Sequence, residues 1–339
     1  MTTVSVGARL HIGFRNLSTT GERVFGGIGL AIANPRVVVQ VEPAPSVRCA
    51  HDRAERFAER TCRLLDLAGA SVTVDQSLPS HRGFGSGTQL ALAVYAAIAL
   101  AHDRTPAVRR HAPALGRGRR SGVGIATFEH GGFVVDDGHP VNAAHITDPS
   151  TCNWKVPPCT TQLGVPMDWR IVLVLPEVRA GRHHEVEERS MQTVLEAADP
   201  TIAATVERVL AGDVIPAIQS GNLAQFGAGI GEIDRYNGDW FAIEQAERYR
   251  PTSGRIITIL RACPSLYGVG QSSWGPLVYG LTHRNDVAAA RAASERALEQ
   301  TGCDGSVDVV TPRNTGYAVH NNNANNRTMR RYDGGVISE

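Results

Sequence analysis

The sequence predicts an α+β protein built as two domains, on three observations. Short alternating or β-branched stretches are interleaved with segments of helical spacing, the pattern of helices layered on strands that can pair antiparallel. A glycine-dense loop, Gly83–Gln89, runs directly into an apolar stretch, Leu90–Ala101. A polar break at Asp148–Met167 carries Pro149, Pro157, Pro158 and Pro166 and divides the 339 residues into two halves of domain size. The domains so drawn are residues 1–160 and 161–319, with a polar tail at 320–339.

In chain order, Val4–Ile12 alternates as a strand does, and Arg36–Val41 is short and β-branched. Phe25–Leu30 between them is glycine-rich and reads as a turn. Helical spacing follows in Arg53–Leu67, then a short strand at Ser71–Val74. A second glycine-rich segment, Gly116–Ala126, precedes Gly131–Gly138, which reads as a strand ending in a turn. The second half opens on a buried strand, Arg170–Leu175, and continues with helical patterns in Glu187–Ala198, Thr201–Leu210 and Val214–Phe226. Arg255–Arg261 and Val287–Gln300 are helical, with Leu266–Ser272 and Val307–Val310 extended. The tail, with its asparagine run at 321–326, reads either as a mobile end or as a lid.

Composition excludes several function classes. A net charge of +1 argues against a general nucleic-acid binder. Leu90–Ala101 is the longest apolar run and is too short to span a bilayer, and the N-terminus lacks an apolar signal core. A soluble cytoplasmic protein with no membrane or nucleic-acid partner is expected. The six cysteines form no CxxC and read as free thiols; Cys152, Cys159, His183 and His184 match no common zinc spacing. Of the 34 basic residues one is lysine, Lys155, in Asn-Trp-Lys-Val. A Walker loop needs a Gly-Lys pair, so that class is out.

The loop Leu78–Gln89 carries the densest chemical signal. A phosphate needs several backbone N–H groups converging on it; glycines allow close approach, and a helix N-terminus adds its positive end. Gly83, Gly85 and Gly87 before a long helix meet both needs. Ser86 and Thr88 add hydroxyls, Gln89 an amide, and His81 and Arg82 nearby charge. The competing reading is a tight turn capped by Ser86.

Pro79–Gln89 resembles the phosphate loop of the GHMP kinase superfamily, Pro-x-x-x-Gly-Leu-Gly-Ser-Ser/Gly. Ser121-Gly122-Val123-Gly124 resembles its Ser-Gly-x-Asp region, and Tyr267–Pro276 lies where its C-terminal glycine motif falls. The resemblance implies a GHMP-kinase-like two-domain fold: an N-terminal β-α-β domain packed on a ferredoxin-like C-terminal domain. In many of these kinases the Ser-Gly-x-Asp carboxylate is the catalytic base, and here that position is Gly124. The finer pattern, Gly-Phe-Gly-Ser-Gly-Thr-Gln with Gly-Gln-Ser-Ser-Trp-Gly-Pro and Ala-Arg-Leu-His-Ile-Gly-Phe, is similar to one branch. That branch is the β-ribofuranosylaminobenzene 5′-phosphate synthases of methanopterin biosynthesis, with relatives in C-nucleoside antibiotic pathways.

That resemblance implies an enzyme, usually with Mg²⁺, that joins the anomeric carbon of phosphoribosyl diphosphate (PRPP) to a ring carbon of an aromatic carboxylic acid. Pyrophosphate and carbon dioxide leave. The acceptor is 4-aminobenzoate or a heteroaromatic acid such as a pyrazole carboxylate, and the enzyme is a homodimer. A small-molecule kinase and a non-catalytic sugar-phosphate-binding protein are the alternatives. Loss of carbon dioxide restores aromaticity without a base, which suits Gly124.

Candidate clamps for the phosphates are Arg9, Arg82 and the cluster Arg117, Arg119 and Arg120, because guanidinium binds phosphate bidentately. Alternation puts Arg9 and His11 on one strand face, with His11 either in the cleft or a core histidine. Ser121 and Gly122 are candidate phosphate contacts. Gln271, Ser272, Ser273 and Trp274 either meet the acceptor ring or pack structurally. His183, His184 and Glu185 either bind the acid or start a helix. Asp136 and Asp137 read as metal ligands or as a turn, so the metal ligands stay open.

Overall fold

Two long strands open the chain in the computed structural model, which describes residues 1–143, 154–178, 184–245, 247–321 and 329–331, and only the backbone of 143, 184–188, 321 and 329–331. Strand β1 (Thr2–Asn16) pairs antiparallel with β2 (Arg23–Pro43). The glycine-rich segment Phe25–Leu30 is therefore strand rather than turn, with His11 opposite Gly29 and Phe14 opposite Gly27. Its glycines serve close approach: a Cβ on Gly27 would lie 2.1 Å from Ser121 Oγ, and one on Gly29 would lie 2.3 Å from Val123 Cγ1.

The first sheet continues through β3 (Arg48–Cys49) and β4 (Ala70–Gln76), with helix α1 (Asp52–Leu65) between them. Next come α2 (Ser86–Ala101), the single turn α3 (Val108–His111) and α4 (Val123–Glu129). Strands β5 (Phe133–Asp136) and β6 (His139–Pro140) both pair with β2, and β7 (Cys159–Leu163) pairs with β5. Leu90–Ala99 of α2 is buried on every side, as a helix apolar all round must be, between β1, β2, α1 and α4.

The second sheet is antiparallel and runs β11-β8-β10-β9. It starts at β8 (Trp169–Pro176). Helices α5 (His184–Ala197), α6 (Pro200–Val209), α7 (Ile215–Ser220), α8 (Leu223–Gln245) and α9 (Pro251–Arg261) follow. The unit closes with β9 (Tyr267–Gln271), β10 (Val278–His283), α10 (Val287–Thr301) and β11 (Gly305–Val310). The chain then returns to the first sheet: β12 (Ala318–Asn321) pairs with β1, and β13 (Met329–Arg331) pairs with β12.

Most of α8 and all of β10 escape the sequence pattern. Helix α8 carries Gly227, Gly229, Gly231 and Gly238, which read as breakers. Two of them let other segments come close: a Cβ on Gly227 would sit 2.5 Å from Tyr267 Cβ, and one on Gly238 2.4 Å from Arg248 Cγ. Strand β10 is buried over Val278–Thr282, so it lacks the alternation of a half-exposed strand. Among the described residues, no helix is long and apolar enough to cross a membrane.

Candidate functional site

The loop before α2 is shaped by glycines in the left-handed region, with φ of 108° at Gly83 and 75° at Gly85. Gly85 is the N-cap, and no side chain caps the helix. Helical bonding starts with the N–H groups of Thr88 and Gln89, which donate to Gly85 O. The N–H groups ahead of them form the open positive end of a 16-residue helix. Ser86 supplies no cap, so the capped-turn reading gives way to an uncapped helix start facing a cleft.

That cleft, of about 460 Å³, is walled by Gly83, Gly85, Ser86, Gly87 and Thr88 of the loop, by Ser273, Trp274 and Gly275, and by Arg9, Arg53, His81, Gly116 and Arg117. Three guanidiniums gather there. Arg9 passes over Gly85, its Cζ 3.0 Å from where a Cβ would stand, and donates Nη1 to Gly83 O at 2.8 Å. Arg53 and Arg117 reach Gly87, with terminal nitrogens 3.2 and 3.1 Å from the corresponding point. Arg117 also stacks over Phe57 at 5.1 Å, which orients its plane. Burial, and then Arg56, hold the Arg53 guanidinium below its ordinary pKa, so an anion in the cleft finds it partly desolvated. Among the described residues, no carboxylate lines this cleft.

The wall opposite the loop comes from the turn after β9. Ser272, fully buried, donates Oγ to Gly83 O at 2.8 Å and accepts from His11 N at 3.1 Å. Ser273 donates N–H to His11 O at 3.1 Å and takes a φ of 56°, unusual for a residue with a side chain. That kink sets Ser273 and Trp274 between the cleft and a second hollow.

The second hollow has about 20 Å³ of free space, so it is a slot rather than a chamber. His11, Phe14, Asn237, Phe241, Tyr249 and Gln271 are among its lining residues. Its aromatic rings meet tilted or edge-on: Phe14 lies 4.7 Å from His11, and Phe241 lies 5.1 Å from Trp274. Asn237 of α8 holds it to β1, accepting from Phe14 N at 2.6 Å and donating to Phe14 O at 3.0 Å. Beneath it Asp234, accepting from Tyr249 Oη, Arg261 and Gln271 N, has its pKa pushed up to about 6, mainly by burial.

Arg9, Leu10 and His11 pair in unbroken register with Ala31, Leu30 and Gly29, so alternation holds and Arg9 and His11 share one strand face; from that face Arg9 lines the cleft and His11 the adjoining slot. His11 is buried, yet its Nε2 has no hydrogen-bond partner among the described residues. Burial first, then Arg9, push its pKa down to about 3, so the imidazole is neutral.

Several sequence candidates lie elsewhere. Arg82 does not line the cleft; its Nη1 donates to Val178 O at 2.7 Å, beyond the end of β8. Gln89 is fully buried and donates to Gly124 O at 2.9 Å, joining α2 to α4. Ser121 and Gly122 both donate to Asp136 Oδ2, and Gly138 N donates to Oδ1, so this aspartate organises the start of α4. Asp137 pairs with Arg15 and Arg23. Among the described residues no group of three His, Cys, Asp or Glu could hold a metal. His183 and Cys152 lie outside the described residues, as do the side chains of His184 and Glu185. The sequence reading missed Arg53, Asn237 and Phe241 as site residues; they come from α1 and α8, distant in sequence, and show no local signal.

Residues 49–132 match the family described as GHMP kinases N terminal domain. Over 310 residues the chain is 29% identical to the β-ribofuranosylphenol 5′-phosphate synthase of Methanothermobacter thermautotrophicus, covering 86% of this chain and 92% of that protein. It is 29% identical over 321 residues to the synthase of the same name from Archaeoglobus fulgidus, covering 92% and 97%. Among solved structures, homoserine kinase from Cytophaga hutchinsonii superposes with a TM-score of 0.66 at 15% identity, covering 94% of this chain and 97% of that one. Mevalonate kinase from Methanococcus jannaschii superposes with a TM-score of 0.66 at 12% identity, covering 92% and 98%. With its matched N-terminal segment, this shared two-domain α+β fold and relatives along nearly its whole length, the chain is similar to the GHMP kinase superfamily.

Proposed function

We propose that the protein is a phosphoribosyl transferase that joins the anomeric carbon of PRPP to a ring carbon of an aromatic carboxylic acid, releasing pyrophosphate and carbon dioxide. The observation that carries this reading is a cleft with three guanidiniums and an open helix N-terminus and, among the described residues, no carboxylate, adjoining an aromatic slot. A substrate with a diphosphate and a second phosphate suits the cleft, and a flat ring suits the slot. The full-length relatives are named for making a ribofuranose 5′-phosphate attached to a phenol, which agrees with both halves.

The chemistry balances without a base. The C1–oxygen bond to pyrophosphate breaks, and its electron pair leaves on pyrophosphate, whose charge Arg9, Arg53, Arg117 and the loop N–H groups stabilise. The ring carbon bearing the carboxylate supplies the pair for the new C–C bond. The carbon–carboxylate bond then breaks, its pair returns to the ring, and carbon dioxide departs. No proton is removed from the attacking carbon. Gly124, where related kinases carry a carboxylate, lies against Thr88: its Cβ would stand 3.0 Å from Thr88 Cγ2. A kinase would need a base there.

A resident Mg²⁺ does not fit the described residues, because the cleft offers no carboxylate ligand. In this proposal magnesium arrives as the counter-ion of the diphosphate, and no step is assigned to it. The homodimer implied by the resemblance belongs to the same proposal, and sedimentation tests it.

The deciding experiment is mass spectrometry of reactions with PRPP, Mg²⁺ and a panel containing 4-hydroxybenzoate, 4-aminobenzoate and azole carboxylates. A C-ribosylated product with one pyrophosphate and one carbon dioxide per turnover is expected. ATP-dependent phosphorylation of a small alcohol, or PRPP binding without consumption by any acid, overturns the proposal.

A further inference from the structure

The polar side chains lining the slot are mostly committed to the protein. Asn237 is spent on Phe14 and Ile233 O, and Asp234 on Tyr249, Arg261 and the N–H of Gln271. Gln271 donates to Ser273 O and accepts from Arg250 N, and Arg248 pairs with Asp239. His11 Nε2 differs: it is buried and has no partner among the described residues. A buried ring nitrogen left unpaired in a native fold costs stability unless something meets it.

We propose that this slot is the acceptor subsite, and that His11 Nε2 there recognises a hydroxyl or amino substituent on the edge of the acceptor ring opposite the reacting carbon. The proposal rests on the transferase reading above. Slot and cleft share Ser273 and Trp274 as walls, so a ring in the slot presents one edge to the cleft. That edge carries the carboxylate and the attacking carbon, and the far edge faces inward. Phe14 and Phe241 supply flat apolar contact. The neutral imidazole offers either a lone pair or an N–H at Nε2, depending on its tautomer, and suits an uncharged substituent rather than a second carboxylate. With only about 20 Å³ free, the slot must widen at Trp274, which is half-buried at the junction, to admit a ring, and it has room for no second one.

The test compares 4-hydroxybenzoate and 4-aminobenzoate with benzoate, in wild type and in His11→Phe, which keeps a ring but removes Nε2. Wild type should favour the substituted acids in kcat/KM by about 10- to 100-fold, the range of one buried hydrogen bond. In His11→Phe that preference should fall to within about threefold while the KM for PRPP stays put. A preference retained by His11→Phe overturns the proposal. Phe241→Leu, which leaves Nε2 in place, should raise the acceptor KM without erasing the preference; an unchanged acceptor KM places the ring elsewhere and also overturns it. Calorimetric binding of 4-hydroxybenzoate needs no turnover and separates the two readings. If no acid is consumed yet 4-hydroxybenzoate binds wild type and not His11→Phe, the transferase reading fails and the subsite stands. Equal binding to both proteins sinks the subsite whatever the turnover.

Discussion

The hydroxyl of Ser272 donates to the carbonyl of Gly83 across 189 residues of sequence, at 2.8 Å in a fully buried position. The same oxygen accepts from His11 N. One side chain thus fixes the phosphate loop, the opening strand and the turn after β9. Ser272→Ala leaves a buried N–H without its acceptor, at a cost of about 1–3 kcal/mol. The melting temperature should drop by several degrees, and the KM for PRPP should rise as Gly83 loses a restraint. Differential scanning calorimetry with PRPP kinetics checks both; an unchanged melting temperature refutes the coupling.

Guanidinium position separates two arginines that look alike in sequence. Arg117 stands at Gly87 in the cleft, whereas Arg82 points to Val178 O. Losing a charge-assisted bond costs about 1.5–3 kcal/mol, so Arg117→Ala should weaken PRPP binding roughly 10- to 150-fold. Arg82→Ala should act mainly on stability. Titration with PRPP decides, and a larger binding loss for Arg82→Ala would show the cleft to be wrongly assigned.

Restoring the kinase-type carboxylate should not restore a kinase. In Gly124→Asp the new Cβ would stand 3.0 Å from Thr88 Cγ2, at the first turn of α2. The loop must shift, so transferase turnover should fall at least about tenfold, with no ATP-dependent product. A coupled ADP-release assay reads the second outcome, and robust ADP release would reverse the argument from Gly124.

His11 also predicts a pH dependence of stability. Its folded pKa is about 3 against 6.5 for the free side chain, held down by burial and by Arg9. Below pH 6.5 the unfolded chain takes up the proton first, so its contribution is fully present above 6.5 and is lost progressively as pH falls toward 3. Asp234 acts oppositely: with its pKa raised to about 6, it lowers stability as pH rises from 3.8 to 6. Comparing wild type with His11→Gln isolates the histidine. Urea unfolding at pH 7 and pH 5 should show wild type losing stability relative to the variant at the lower pH; parallel behaviour would contradict the neutral buried imidazole.

Much of the scaffold was legible because it is local. A helix that is apolar all round, such as α2, announces its burial, and Gly83, Gly85 and Gly87 before it announce a loop that side chains would obstruct. The strand reading failed at Phe25–Leu30 because glycine there serves contact with α4, and sequence does not distinguish that use from a turn. Helix α8 stayed hidden for the same reason: Gly227 and Gly238 admit neighbours rather than end the helix. Gln89 and Ser121 carry the right functional groups for phosphate, yet Gly124 O and Asp136 claim them.

By itself, then, the sequence determined an α+β chain with one phosphate-type loop, arginine as the side-chain cation, and no carboxylate at position 124. These follow from residue identity over short spans, where backbone freedom and helix ends act locally. Tertiary structure decided which groups share a space. Arg9 and His11 leave one strand face for two adjoining hollows, the positive φ of Ser273 divides cleft from slot, and α1 and α8 deliver Arg53 and Phe241 from distant segments. Such convergence depends on how strands and helices stack over long separations, which no local pattern encodes.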